Sequence, residues 1–277
     1  MRTRVIVAVI ALPLILLLIF LAPIRGFSIF VALVSAGAAW EYLRCTEADT
    51  PVRFRVYSAV AGAVIPVSFA FTDSIIALAL ILYILSALMF LELMISYRGD
   101  EHIKTETVLH VLFAGAVMPL LLSSLTRIGF RVGDELSSVY LLFPFIATFS
   151  SDSGAYFAGS FLGRHKPFAK LSPNKSVEGF IGGFAAAILV MLLYGIVLTL
   201  CGFEVNYLYL AVYGILGSLA CQFGDLVFSS IKRQYGVKDY GKLIPGHGGM
   251  LDRFDSMHFT APMIELLVLL LPAIARQ

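Results

Sequence analysis

Charged side chains are scarce. Lys, Arg, Asp and Glu make up 14% of the 277 residues, and hydrophobic residues make up 59%. A soluble domain carries about 25% charged and about 45–50% apolar residues, so these proportions exclude an ordinary water-surrounded fold. A basic excess is missing too. Twenty Lys and Arg face 18 Asp and Glu, with a formal net charge of +2 and no basic run, which argues against nucleic acid as a partner. Cysteine is nearly absent. Cys45, Cys201 and Cys221 are odd in number and lack C-x2-C spacing, which excludes a disulfide framework and a structural zinc site. No repeat of roughly 20–50 residues and no low-complexity linker is found, so solenoids and tethered modules are excluded as well.

Long apolar runs fill the space that charge vacates, and mean hydropathy is +0.90. A spanning helix needs about 20 apolar residues. On that measure the chain reads as an all-α, polytopic integral membrane protein of about nine transmembrane helices, at roughly 5–21, 27–43, 56–71, 75–95, 107–125, 138–162, 178–201, 207–231 and 256–275. The first run follows Arg2 and Arg4 but has no A-x-A cleavage site after it, so it is expected to stay as an anchor rather than leave as a signal peptide. Sixteen of the twenty Lys and Arg fall at the N-terminus and in the loops after spans 2, 4, 6 and 8. The positive-inside rule then places the N-terminus in the cytoplasm and the C-terminus outside.

The polar residues cluster. Residues 151–179 and 222–255 together hold 15 of the 38 charged side chains. The densest stretch runs from Ser229 to Asp255. Gly246, Gly248 and Gly249 permit a turn whose N–H groups converge on an anion. Lys232, Arg233, Lys238 and Lys242 surround that turn with positive charge, and Asp252 and Asp255 follow three residues apart. Carboxylates beside a phosphate-sized basic pocket suit Mg²⁺, which takes one or two of them together with phosphate oxygens. In span 8, Gln222, Asp225, Ser229 and Lys232 recur at helical spacing and share one stripe. A carboxylate there requires a wet cavity, a metal or a partner.

Span 6 carries Asp152 and Tyr156 beside a stripe of small residues, Ser151, Ala155, Gly159 and Gly163, that suits close helix packing. After it, Ser172-Pro173-Asn174-Lys175-Ser176 forms a turn. Ser176 is the expected N-cap of span 7, leaving free N–H groups and a helix dipole for an anion beside Lys175. Given the alternation of directions, all these elements lie at the cytoplasmic ends of the last four helices, which predicts one site. Glu41 and Glu92 lie near span ends, where snorkelling or capping is expected.

Ser229 through Asp255 resembles the phosphatidate cytidylyltransferase (CDP-diacylglycerol synthase) family, whose signature includes S-x-[hydrophobic]-K-R, K-D and P-x-H-G-G-[hydrophobic]-x-D-R-[hydrophobic]-D. The chain is similar to that family also at Ser151-Asp152, at Ser172-Pro173-Asn174-Lys175-Ser176 with Glu178-Gly179, and at Gln222-x-Gly224-Asp225. Cys221 departs from the Ser usual before that Gln, and a thiol is a weaker hydrogen-bond donor. Residues 1–140 resemble the family only in their hydrophobic layout.

The resemblance implies transfer of CMP from CTP to phosphatidate, giving CDP-diacylglycerol and pyrophosphate. It implies Mg²⁺, with room for a second cation such as K⁺. The carboxylates expected to hold metal are Asp225, Asp252 and Asp255. Lys232, Lys238 and His247 join Asp225 and Asp252 as catalytic candidates. Arg233, Lys175, Ser176, Ser172, Asp152, Tyr156, Arg253 and the backbone of Gly246, Gly248 and Gly249 are the expected substrate contacts. A single membrane domain over residues 1–277 would then divide into N-terminal helices (1–137) and catalytic helices with cytoplasmic loops (138–277). The expected setting is a bacterial inner membrane, with dimerisation through lipid-facing helices compatible with the sequence. Two rivals fit less well. A CDP-alcohol phosphotransferase would need a D-G-x2-A-R motif that is absent, and an ion-coupled transporter commonly shows inverted repeats.

Overall fold

The computed structural model describes residues 13–47, 50–71, 75–99, 102–243 and 248–276. Within them, six helical segments are long and apolar enough to cross a membrane: Ile24–Thr46, Val52–Phe71, Ile75–Ser96, Thr105–Val132, Val177–Leu200 and Tyr207–Gln234. The chain is therefore a largely helical, multi-pass membrane protein.

In chain order the elements are α1 (Ile24–Thr46), α2 (Val52–Phe71), α3 (Ile75–Ser96), α4 (Thr105–Leu112), a π-helical turn (Phe113–Val117), α5 (Met118–Leu122), α6 (Ser124–Val132), α7 (Asp134–Leu162), α8 (Val177–Leu200), β1 (Phe203–Val205), α9 (Tyr207–Gln234), α10 (Leu251–Phe254), α11 (Met257–Leu270) and β2 (Ile274–Arg276). Residues 13–21 are helical as well.

Three stretches differ from the sequence reading. The segment over 107–125 is not one regular helix, because a π turn precedes Pro119 and a break at Ser123 follows. Proline has no N–H to continue the ladder, so the local pitch adjusts. The last helix stops at Leu270 instead of running to 275, as Pro272 disfavours helix in the residue before it. Finally, the short loop at 202–206 contains a strand, whose Phe203–Val205 pairs antiparallel with Ile274–Arg276. Of the first expected span (5–21), residues 5–12 lie outside the described residues.

By packing the chain forms two compact units, Met1–Asp134 with Tyr235–Phe254, and Glu135–Gln234 with Asp255–Gln277. In the first unit the glycine-rich loop and α10 dock on α1. The carboxylate responsible is Glu41, which is buried rather than snorkelling and accepts the Leu251 N–H at 2.9 Å. Asp252 holds the same loop from within, its Oδ2 accepting the N–H groups of Tyr240 and Gly249, each at 2.9 Å. Gly248 has φ +86°, a conformation that favours glycine. A Cβ on Gly249 would collide with the Glu41 carboxylate.

In the second unit α7 and α8 cross at close range. A Cβ on Gly154 would stand 2.6 Å from the Gly182 carbonyl oxygen, and one on Gly179 would stand 2.9 Å from the Ala155 carbonyl oxygen. The small-residue stripe therefore serves helix packing, as its spacing predicts. Large apolar side chains, Phe143, Tyr213 and Phe228, fill the core of this unit.

Gly249→Ala should destabilise the protein by about 1–3 kcal/mol through overpacking against Glu41, whereas Gly99→Ala, in open surroundings, should leave thermal unfolding in detergent unchanged. Equal melting curves for both variants would show that the loop does not need the close approach.

Candidate functional site

The second unit brings α7, the segment 163–176, the start of α8, and α9 around one cavity of about 250 Å³. Its wall includes Asp152, Tyr156, Ser172, Lys175, Ser176, Gln222 and Asp225, all singled out from the sequence, and adds Asn174 and Phe180. Asn174 was visible only as a member of its turn, and Phe180 carried no signal. The volume is below the roughly 300–1,000 Å³ that encloses a whole drug-sized ligand. The cavity therefore has room for part of such a ligand rather than all of it.

Helical periodicity builds the α9 wall. Ser229 Oγ donates to Asp225 Oδ1 at 3.2 Å, four residues away on the same face. On the next turn, Lys232 Nζ lies 3.5 Å from Asp255 Oδ2. The partner that Asp225 requires comes from another segment: Lys175 Nζ stands 2.5 Å from Asp225 Oδ2. The Lys175 ammonium also lies 5.8 Å from the centre of the Phe180 ring, in cation–π range.

Ser176 caps α8 as its position predicts, its hydroxyl accepting the Gly179 N–H at 3.1 Å. This fixes the helix N-terminus, where the dipole is positive, in the cavity wall. The preceding segment is folded back by Glu178, which accepts the N–H groups of Arg164 and His165 at 3.0 and 3.3 Å and pairs with the His165 ring at 2.6 Å. Arg233 donates to the Leu171 carbonyl at 3.3 Å and holds the segment from the α9 side.

Behind this wall, buried Ser151 and Ser218 share a hydroxyl hydrogen bond of 2.8 Å, and Gln222 Nε2 donates to Ser218 Oγ at 2.9 Å. Gln222 Oε1 is buried with no hydrogen-bond partner among the described residues, so an acceptor is available at the cavity wall. Cys221 Sγ donates to Asp152 Oδ1 at 3.4 Å, which gives the thiol the polar role that a serine would fill more strongly.

Asp255 is the most perturbed carboxyl outside the spanning helices. Burial pushes it up to about 7; the nearby Asp225 and Asp152 charges act in the same direction, while Lys232 and the Ser256 N–H oppose them. This crowding of carboxylates is what a bound cation relieves. Among the described residues, no group of three or more His, Cys, Asp or Glu is arranged to hold a metal alone. The donor set is thus a carboxylate pair, Asp225 and Asp255, that phosphate oxygens would complete, which fits Mg²⁺.

The remaining candidates fall elsewhere. Asp252, Lys238, Arg253, Gly248 and Gly249 belong to the first unit, where Asp252 takes backbone amides. Lys238 and Arg253 are exposed. Gly246 and His247 lie outside the described residues.

The cap is testable by itself. Ser176→Ala should cost about 1 kcal/mol of stability, while Ser176→Asp, which restores an acceptor, should recover most of it; thermal unfolding that ranks Ala equal to Asp would contradict the capping assignment.

Comparison with known proteins adds a family. Three curated relatives, each named phosphatidate cytidylyltransferase, are similar to this chain. The protein of Staphylococcus saprophyticus is 39% identical over 160 residues, 57% of this chain and 60% of the relative. That of Bacillus subtilis is 42% identical over 137 residues, 50% of each, and that of Staphylococcus aureus is 40% identical over 160 residues, again 57% of this chain and 60% of the relative. The aligned stretches thus span half to three fifths of these relatives. The sequence profile of the cytidylyltransferase family matches residues 2–271, nearly the whole chain, which therefore belongs to that family.

Proposed function

We propose that this protein transfers CMP from CTP to phosphatidate, producing CDP-diacylglycerol and pyrophosphate for phospholipid synthesis. The observation that carries this reading is the second-unit cavity, where Lys175 and a helix N-terminus meet Asp225 beside Asp152. It combines cationic groups for phosphates with carboxylates suited to a divalent ion.

The chemistry asks little covalent work of the protein. A phosphomonoester has a second pKa of about 6, so the phosphatidate phosphate is largely dianionic at neutral pH and needs no strong general base. One of its oxygens bonds to the α-phosphorus of CTP, and the bond from that phosphorus to the β-bridging oxygen breaks, its electron pair leaving with pyrophosphate. Catalysis is then positioning and charge neutralisation. Lys175, at the mouth of α8, is placed to take a phosphate oxygen when it exchanges part of its contact with Asp225. Lys232 holds Asp255 in reach of the same reacting groups. The Ser172 and Tyr156 hydroxyls and the Asn174 amide line the remaining wall as hydrogen-bond donors. Magnesium, held by Asp225 and Asp255, would neutralise phosphate oxygens in approach and departure.

The lipid substrate would come from the side. Tyr156, Phe157 and Phe161 of α7 are 69%, 58% and 81% exposed, so an apolar surface borders Asp152 and Tyr156, along which acyl chains can remain in the bilayer. In this reading the chain sits in a bacterial inner membrane with its N-terminus and cavity facing the cytoplasm, where CTP is found. The stretch before Ala22, α7 and α11 would then supply the crossings beyond the six long apolar segments. Lys238, Arg253, Gly248 and Gly249 remain candidate phosphate contacts on the strength of the sequence, as do Gly246 and His247, which lie outside the described residues, and Asp252 accepts the amides of Tyr240 and Gly249.

Purified protein in detergent, given CTP, phosphatidate and Mg²⁺, should form CDP-diacylglycerol; no product from folded protein, or from Cys221→Ser, would refute the activity. Asp225→Asn and Asp255→Asn should each lower kcat roughly 100-fold or more while the protein stays folded, and wild-type turnover in either would remove that residue from the site. Chelation with EDTA should abolish turnover and added Mg²⁺ restore it; full activity after chelation would exclude the divalent ion.

A further inference from the structure

The first unit contains a recess of about 580 Å³ that the proposed reaction does not use. It lies between the α1–α2 connection and the end of α3, and its polar wall includes Glu47, Arg53, Glu92, Ser96, His102 and Lys104. A second hollow of about 290 Å³ lies between α2 and α3, lined by apolar side chains such as Val60, Val64, Ile81, Ile84 and Leu88, with Tyr57 at one end.

One cluster joins the two. Arg53 Nε and Nη2 donate to the two oxygens of Glu92 at 2.8 and 2.9 Å. Tyr57 donates to Glu92 Oε1 at 3.1 Å. Arg53 and Glu92 line the recess, and Tyr57 lines the groove. Arg53, Tyr57, Val60 and Val64 follow one another along a single face of α2. At 1.5 Å per residue, polar recess and apolar groove form a track of about 16 Å. Both helices are candidate membrane spans, so the groove faces hydrocarbon and the recess lies at a helix-end interface.

The charges available in the recess are of both signs. Lys104 is exposed, and its ammonium has no polar partner among the described residues. Glu47 commits Oε2 to the Thr107 hydroxyl at 3.0 Å, while the nearest cationic group to Oε1 is the His110 ring at 3.9 Å. A phosphate can bond to Lys104 and an ammonium to Glu47. An amphiphile carrying both above an apolar chain matches the whole track.

We infer that the first unit binds a phosphoethanolamine lipid, with its headgroup in the recess between Glu47 and Lys104 and one acyl chain in the α2–α3 groove. The site is independent of the catalytic reading, as none of its residues lines the second-unit cavity. It takes a membrane lipid as a resident ligand.

The test places the full-length protein in nanodiscs containing phosphatidylethanolamine that carries a photoreactive acyl chain. A parallel set uses the same chain on phosphatidylglycerol. After irradiation, labelled peptides are mapped by mass spectrometry. Labelling should concentrate at Val60, Val64, Ile81 and Leu88 over the outward-facing Ile76 and Tyr83. It should be about threefold greater from the ethanolamine probe, the worth of one weak ion pair. Glu47→Gln should remove that preference, because it takes away the charge that faces the ammonium, whereas Lys104→Gln, a surface change that should not disturb folding, should lower labelling from both probes, which share the phosphate. Val60→Trp should block labelling of the groove; should Val60→Trp misfold, Glu47→Gln and Lys104→Gln decide. Even labelling around α2 and α3, equal yields from the two probes, or a preference that survives Glu47→Gln would overturn the inference.

Discussion

A carboxylate carried into an apolar helix must find a counter-charge, and the second unit is organised around meeting that demand for Asp225. An isolated buried ion costs several kcal/mol even after relaxation, whereas an exposed pair contributes about 0–1 kcal/mol. Asp225 and Lys175, with side chains 30% and 20% exposed, lie between these limits. The pair is secured enough to need its partner and wet enough to exchange it. Lys175 reaches Asp225 only because the segment after α7 folds back, with Glu178 gathering its amides and Ser176 starting α8. The small residues of α7 and α8 then allow the crossing that brings Asp152 to the same cavity.

The same constraint recurs in the first unit with a different result. Glu41 is buried, and its counterpart is the Leu251 N–H at the start of α10 rather than a cation. Asp252 adds two more amide bonds within the glycine-rich loop. Side chains would fill the space between loop and carboxylate, so glycine there is a matter of room as much as of backbone freedom. One unit thus spends its buried acid on holding a loop, and the other keeps its acids within reach of a cavity.

What the sequence revealed follows from the range of the interactions. The stripe of Gln222, Asp225, Ser229 and Lys232 could be read because helical periodicity is local, and the Ser229–Asp225 bond is its direct expression. The Ser176 cap and the small-residue stripe were legible for the same reason. The pairing of Asp225 with Lys175 was not, since it joins distant segments and no periodicity encodes it. Glu41 does lie near a helix end, but it is buried instead of snorkelling or capping, and its partner is a backbone amide more than two hundred residues away. Hydropathy averaging also hid the end of α11 at Leu270 and the pairing of β1 with β2, because a window of apolar residues does not register one proline or an edge of three residues.

The proposal rests on the cationic end of the Lys175–Asp225 pair being used by substrate rather than merely balancing charge. Exchanging the two, Lys175→Asp together with Asp225→Lys, separates these roles, because it preserves an ion pair but reverses its direction in the cavity. The measurement is thermal stability and CDP-diacylglycerol formation for the double variant beside each single one. The account predicts that the double variant regains stability lost in the singles yet forms no product. Recovery of turnover along with stability would contradict it and leave the pair a structural brace.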